Sequence, residues 1–104
     1  MNVFKKMQAS LRLKEAVRKA NEAFEETGER HYVMPMEGGK LLIVDRSNFR
    51  ELKQKGYINR LVTVATLESE CFYATPYRNS SKEMSPEEIK ERRKGYYKYL
   101  NKKK

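Results

Sequence analysis

The chain has one cysteine, one histidine and no tryptophan among its 104 residues. With Cys71 alone, no intrachain disulfide can form, although small secreted domains with thin cores usually depend on such bonds. A site for structural zinc would need several histidine or cysteine ligands that converge, and this chain offers too few. We therefore expect a domain of a reducing compartment that holds no metal and no other cofactor.

Long apolar runs are also missing. Residues 1–6 lack the apolar stretch of a signal peptide, and no segment reaches the length that crosses a bilayer. The sequence therefore predicts a cytoplasmic protein without a membrane partner. If the protein belongs to a viral assembly, the same features predict a virion component packaged from the cytoplasm.

Size and composition predict a single domain. A chain with 38% hydrophobic and 36% charged residues can build one thin core and has no room for a second. We assign residues 1–104 to one small basic domain, with residues 101–104 as a lysine tail. The 23 lysines and arginines outnumber the 14 aspartates and glutamates, so the net charge is +9. This balance favours nucleic acid or an acidic protein surface as the partner.

Two segments carry strong helix signals. Residues 3–29 contain no proline, and apolar residues recur along them at helical spacing, which predicts one long amphipathic helix. The members of this stripe are Ala9, Leu13, Ala16, Val17, Ala20, Ala23 and Phe24. Ser85 as N-cap, Pro86 at the first position and Glu88 at the third predict the start of a C-terminal helix. Gly95 weakens that helix without necessarily ending it.

A β-hairpin is predicted between the two helices. The glycine pair at 38–39 separates two apolar runs, and a two-residue turn there would pair Met34 with Ile43. Pro35 cannot donate a ladder hydrogen bond, so the first strand is expected to lie at a sheet edge on that side. A sheet of two strands is poorly stable unless helices cover it.

Short helices are expected after the hairpin. Asp45 or Ser47 can cap the first of them, and Gly56 stands where a left-handed residue would end it. Residues 61–75 show both strand-like and helical spacing, and we favour a short helix from about Val64. The predicted fold class is α+β, with a long N-terminal helix and a C-terminal helix packed around a two-stranded antiparallel hairpin and short helices between.

Positive charge is concentrated in residues 1–20, 46–60 and 82–104, on either side of an acidic middle. In the C-terminal helix, lysines recur at every fourth residue and form a ridge on which like charges repel each other. An anionic partner would relieve that repulsion, and nearby tyrosines can stack on bases. The predicted nucleic-acid-binding residues are Lys90, Lys94, Lys98, Lys102, Lys103, Lys104, Tyr97 and Tyr99. The alternative is a solvated face that glutamates compensate in part, with tyrosines that only pack.

An apolar strip near the N-terminus is a second candidate surface. Phe4, Met7 and Leu11 follow three-and-four spacing but fall on the polar side of the predicted helix. Either the helix bends and these side chains cover the hairpin of their own chain, or they present an apolar strip to another chain. We predict Phe4, Met7 and Leu11 as protein-interaction residues, with a homo-oligomer or a larger assembly as the product.

No set of residues predicts catalysis. His31 with Glu29 or Asp45 is the one arrangement that suits a general base, but a lone histidine at a strand start is usually structural. Cys71 has two glutamates close in sequence, which would raise its pKa, and no basic group nearby in sequence stabilises a thiolate. The glycine pair joins two strands and opens no helix, so it lacks the context of a phosphate-binding loop. We expect neither an enzyme nor a small-molecule substrate.

A resemblance to known proteins is carried by four segments of the middle half of the chain: Tyr32-Val-Met-Pro35, Gly39-Lys-Leu-Leu-Ile-Val-Asp-Arg46, Leu52-Lys-Gln-Lys-Gly-Tyr-Ile58 and Cys71-Phe-Tyr73. Together they resemble small uncharacterised proteins of gut bacteria and of their phages or mobile elements. The resemblance implies no known chemistry but two classes of binder. We expect a non-enzymatic, nucleic-acid-associated accessory protein, and the alternative is a structural or adaptor component of a phage or mobile-element assembly.

Overall fold

The structure, a computed structural model, describes residues 2–36, 40–76 and 84–102. In chain order the elements of these ranges are α1 (Val3–Thr27), β1 (Tyr32–Pro35), β2 (Leu41–Val44), α2 (Arg46–Gln54), α3 (Val64–Glu70), β3 (Tyr73–Ala74) and α4 (Pro86–Lys102). The strands form one antiparallel sheet in the order β2-β1-β3. The predicted α+β class is confirmed, and β3 adds a third strand to the predicted hairpin. None of the described helices combines the length and the apolar character that a membrane span requires.

α1 begins and ends at residues that favour helix termini. The Asn2 Oδ1 atom accepts a hydrogen bond from the Lys5 N–H at 2.8 Å. At the other end Gly28 has a φ of 73°, and its N–H donates to the Phe24 carbonyl at 2.7 Å. Glycine adopts this left-handed conformation without steric cost, so the helix ends there. The centre of the predicted apolar stripe is buried, namely Ala9, Leu13, Ala16 and Ala20.

The short helices start at capping boxes. At the start of α2, the Asp45 and Asn48 side chains each accept the other's backbone N–H at 2.8 Å. The N-cap is therefore Asp45 and not the alternative Ser47, and the chain turns away after α2 through Gly56, whose φ is 82°. α3 begins at Val64 behind its own capping box, which confirms the short helix predicted there.

α4 starts as its sequence predicts. The Glu88 N–H donates to the Ser85 Oγ atom at 3.1 Å, and Pro86 occupies the first helical position. The helix continues through Gly95. A glycine inside a helix costs about 1 kcal/mol relative to alanine, and the complete burial of the next residue, Tyr96, offsets that cost.

The strand register differs from the predicted one by one residue. Met34 faces Leu42, not Ile43. Opposite residues of an antiparallel pair lie on the same side of a sheet, and a slip of one residue exchanges the two sides. Met34 and Leu42 pack into one apolar cluster, whereas Ile43 packs into the cluster on the other side. The predicted register is therefore wrong, and the glycine turn at 38–39 lies outside the described residues.

β1 is the central strand, so the prediction that it lies at a sheet edge is wrong for its first half. β3 pairs with β1 only at Tyr32 and Val33. The Val33 carbonyl accepts from the Phe72 N–H at 2.8 Å, so Val33 turns its backbone toward β3. Pro35, two residues further on, turns the same way, but β3 has ended there. The missing N–H of Pro35 therefore costs no ladder hydrogen bond.

The sheet separates two apolar clusters. The α1/α4 face is the side on which α1 and α4 cover the sheet, and its buried residues are Ala9, Leu13, Ala16, Ala20, Val33 and Tyr96. The α2/α3 face is the opposite side, and its buried residues are Tyr32, Met34, Val44, Ile58, Leu67, Cys71 and Ala74. The fold is thus three layers deep, with the thin sheet in the middle.

Candidate functional site

The predicted lysine ridge lies on the outer side of α4. Burial of Tyr96 fixes which side of α4 faces the sheet, and all four lysines of the ridge that the structure describes are exposed: Lys90, Lys94, Lys98 and Lys102. Their nearest carboxylate contact within the described ranges joins Lys94 Nζ to Glu91 Oε1 at 4.0 Å. An exposed pair at that distance contributes little, so the ridge keeps its charge. Lys103 and Lys104 lie outside the described residues.

The two tyrosines of the predicted site are half-buried and help to hold α4 in place. The ring centroid of Tyr99 lies 5.9 Å from that of Phe72, and the centroid of Tyr97 lies 6.3 Å from that of Tyr96. Lys6 of α1 places its Nζ atom 5.6 Å from the Tyr97 ring centroid. A cation at this distance over an aromatic face is attracted to it, so Tyr97 brings a positive charge of α1 to α4.

A cleft lies between α1 and α4 and was not predicted. Its volume is about 220 Å³, and its apolar floor includes Leu13, Phe72 and Ile89. Lys14 of α1 and Arg93 of α4 line it from opposite sides. The sequence contains both basic segments but no signal that they meet, because the meeting depends on how two distant helices pack on the sheet. We call Lys6, Lys14 and Arg93 the basic seam.

The arrangement gathers two of the three basic segments on one face of the molecule. Residues 1–20 contribute α1 and residues 82–104 contribute α4, and both helices cover the α1/α4 face. The third segment, residues 46–60, contains α2 and packs on the opposite side of the sheet. A polyanion that binds the α1/α4 face would therefore meet cations from both ends of the chain.

The N-terminal apolar strip is exposed to solvent. Phe4 is 66% exposed, Met7 58% and Leu11 61%. α1 runs from Val3 to Thr27, and neither of the two apolar clusters includes these three side chains. Leu11 lies beside Leu41 and Ile43 of the hairpin and remains largely exposed. That the strip binds another chain stays a prediction.

His31 is buried and fully engaged. It is 3% exposed, its Nδ1 atom lies 2.7 Å from the Glu29 carbonyl oxygen, and its Nε2 atom lies 3.1 Å from Asp45 Oδ2. Asp45 also caps α2, so the histidine connects the start of β1 to the start of α2. This geometry has a structural role and keeps both ring nitrogens away from solvent.

A polar cluster that was not predicted joins β1, α3 and the end of α1. The Arg30 guanidinium donates to both Glu68 carboxylate oxygens, at 3.1 and 2.9 Å. The Tyr32 hydroxyl donates to the same carboxylate, and the Arg30 guanidinium lies 5.4 Å from the Tyr32 ring centroid. Arg30 also donates to the Thr75 carbonyl. The two parallel hydrogen bonds fix the geometry of the Arg30 and Glu68 pair. The pair is also partly buried, and it holds α3 against the sheet.

Cys71 is a core residue and is 2% exposed. Burial raises the pKa of its thiol, and the positive charge of Arg92 opposes that shift without overcoming it. No basic group lies near Cys71 in sequence, but the fold brings Arg92 to it, and Arg92 donates to the Cys71 carbonyl at 2.8 Å. Arg92 comes from α4, and neighbours in sequence could not reveal it.

The chain was compared with models of protein families, with curated proteins and with solved structures, and none of the three comparisons finds a match.

Proposed function

We propose that this protein is a non-enzymatic, nucleic-acid-associated accessory protein that holds backbone phosphates along the basic seam and the lysine ridge of α4. One observation carries the proposal. Lys14 and Arg93 line the same cleft from two helices, and Lys6 reaches across to Tyr97, so cations from both ends of the chain form one surface.

The charges of this surface are suited to phosphates. The lysines of the ridge repel each other, and among the described residues the one carboxylate contact of the ridge is the 4.0 Å pair of Lys94 with Glu91. Phosphates would replace repulsion by attraction and release condensed counterions, which makes binding strongly salt-dependent. Such contacts read no sequence, so we expect binding that tolerates many sequences. Since Tyr97 and Tyr99 are half-buried, stacking on bases is a smaller contribution.

The test compares binding at different salt concentrations by fluorescence anisotropy, with a short labelled DNA duplex and a labelled RNA strand as probes. The test variant carries Lys14→Gln with Arg93→Gln, which removes the two cations that line the cleft. Each lost phosphate contact lowers the slope of log affinity against log salt by about 0.9 for a duplex, so we expect a reduction of about 2.

A matched control carries Arg46→Gln with Arg50→Gln, which removes the same charge from exposed positions of α2 on the opposite face. Its salt slope should equal that of the unchanged protein. The proposal fails if neither probe binds, if binding is insensitive to salt, or if the control loses as much as the Lys14 and Arg93 variant.

A second candidate function is a structural or adaptor component of a phage or mobile-element assembly, to which the resemblance noted in the sequence also points. The exposure of Phe4, Met7 and Leu11 favours it, because contiguous apolar side chains on a surface mark interaction sites. The first role would be performed in the cytoplasm and the second in the cytoplasm or a virion. Phe4→Ala with Leu11→Ala should abolish self-association or co-purification without unfolding the protein, and unchanged light scattering and pull-down would exclude this role.

A further inference from the structure

β2 is an edge strand of the sheet. The Met36 N–H donates to the Lys40 carbonyl at 2.9 Å, so Lys40 and every second residue after it turn their backbone groups toward β1. Leu41 and Ile43 therefore turn theirs away from the sheet. The Ile43 carbonyl accepts from Asn48 Nδ2 at 3.3 Å. The described part of the chain supplies no partner for the Leu41 N–H, the Leu41 carbonyl or the Ile43 N–H.

A groove follows this free edge, and we call it the β2 groove. It lies between α1 and β2, has a volume of about 570 Å³, and contains the apolar side chains of Leu11, Ala16, Leu41 and Ile43. The exposed Leu11 joins the groove to the rest of the N-terminal apolar strip. Unpaired backbone groups beside an apolar groove are what a strand-adding peptide recognises, because the backbone supplies affinity and alternate side chains supply specificity.

The rim of the β2 groove has an excess of positive charge. Arg12, Lys19 and Lys40 line it, and Glu15 is the one carboxylate among the described lining residues. The Arg18 Nε atom donates to Glu15 Oε2 at 3.1 Å, and hydrogen bonding with Arg18 lowers the pKa of Glu15. The negative charge of Glu15 is thus shared mainly with Arg18 and to a smaller extent with Lys19. Among the described residues, no carboxylate forms a salt bridge with Arg12, Lys19 or Lys40, so the rim keeps an excess of positive charge.

We infer that the β2 groove binds an extended segment of a partner protein in which apolar residues alternate with acidic ones. The segment would add to β2 as a fourth strand. Because alternate side chains of a strand lie on opposite sides of the sheet, its carboxylates would lie on the α1 side near Arg12 and Lys19, and its apolar side chains on the other side beside Leu42. A second copy of this chain fits less well, since pairing two β2 edges would bring the two rims together and join two chains of charge +9.

This site is separate from the surface proposed for nucleic acid. Arg12 and Lys19 line the β2 groove on one flank of α1, whereas Lys14 lines the cleft toward α4 on the other flank. A substitution on one flank of α1 should therefore alter peptide binding or nucleic-acid binding, but not both.

The experiment uses the full chain and two synthetic peptides, one alternating glutamate with valine and one alternating lysine with valine. We expect the glutamate peptide to bind in fluorescence anisotropy and to slow hydrogen exchange of the Leu41 and Ile43 amides in NMR spectra. The lysine peptide should not bind. Arg12→Glu with Lys19→Glu should lower the affinity for the glutamate peptide by about tenfold, since two attractive charge pairs become repulsive.

Lys14→Glu is the matched control, because it reverses a charge on the same helix but on the opposite flank. It should leave peptide affinity unchanged and weaken nucleic-acid binding, so the two proposals can fail independently. The inference is overturned if neither peptide binds, if both bind equally, if binding leaves the two amides unprotected, or if the free protein proves to be a dimer whose contact protects the β2 edge.

Discussion

The two faces of the sheet are stabilised in different ways. On the α1/α4 face the helices are long, with 25 residues in α1 and 17 in α4. Small side chains, namely Ala9, Ala16 and Ala20, let α1 approach the sheet closely, and Tyr96 fills the space under α4. The Tyr73 hydroxyl donates to Asn21 Oδ1 at 2.8 Å and so joins β3 to α1. Apolar packing therefore accounts for most of the stability of this face.

On the α2/α3 face the helices have only 9 and 7 residues. Helices of this length are marginal in isolation, because nucleation is costly and the unpaired terminal groups are a large share of the whole. In α2 and α3, specific side chains bond to groups at or near the ends of the helices. Asp45 and Thr63 form capping boxes, Glu68 is held by Arg30, and Arg92 donates to the Ser69 carbonyl at the end of α3 at 2.8 Å. Short helices thus depend on specific polar contacts where long helices depend on burial.

The largest expected loss of stability comes from a substitution in the core of the α1/α4 face. Tyr96→Ala should lower the free energy of unfolding by about 3 to 5 kcal/mol, since Tyr96 is fully buried and its removal leaves a large cavity. Urea denaturation followed by circular dichroism measures the loss. Tyr57→Ala, at a position that is 55% exposed, is the control and should change stability by less than about 0.5 kcal/mol. Equal losses in both variants would contradict the assignment of the core.

The next effect tests the polar contacts of the α2/α3 face. Glu68→Gln keeps the size of the side chain but removes the charge that Arg30 and Tyr32 share, and should cost about 2 kcal/mol. Glu70→Gln, an exposed change at the end of the same helix, is the control. Urea midpoints of the two variants should differ clearly. If they coincide, the cluster does not stabilise α3.

A third prediction compares the caps of a short and a long helix. Asp45→Ala should cost about 1.5 kcal/mol, because it removes the N-cap of α2 and also the partner of His31. Asn2→Ala removes the N-cap of α1 and should cost about 0.5 kcal/mol, since the first turn of a long helix can fray without loss of its core contacts. Thermal unfolding measures both, and a larger loss for Asn2→Ala would reverse the comparison.

The smallest effect should be a gain in stability. Gly95→Ala places a Cβ atom where nothing but the chain neighbours and the backbone of its own helix lies within 4 Å, and should stabilise α4 by about 0.5 to 1 kcal/mol through its helix propensity. Gly56→Ala is the contrasting variant, because Gly56 has a φ of 82°, at which alanine is strained. The melting temperature should rise for the first variant and fall for the second.

Local features of this fold could be predicted from the sequence, and contacts between distant segments could not. Caps act within one helical turn, so residue types located the start of α4 at Ser85 and narrowed the start of α2 to Asp45 or Ser47. The register of β1 and β2 could not be predicted, because it depends on which face each side chain covers. β3 has two residues, Tyr73 and Ala74, and is too short to show any periodicity.

The same distinction applies to the candidate sites. Spacing along α4 was sufficient to predict that its lysines form an exposed ridge, because the period of a helix is known in advance. The α1–α4 cleft, the Arg30 and Glu68 pair and the β2 groove all join residues far apart in the chain. Each depends on the order of strands in the sheet and on the side that each helix covers, which no local pattern contains.

The burial of Cys71 has a practical consequence for measuring motion. The thiol is 2% exposed and its pKa is raised, so a thiol reagent should modify it slowly while the α2/α3 face is closed. Opening of that face exposes the sulfur, and the labelling rate then reports how often the layer separates from the sheet. Since the chain has one cysteine, this signal comes from a single known place. The protein thus carries a built-in kinetic probe of its own local unfolding.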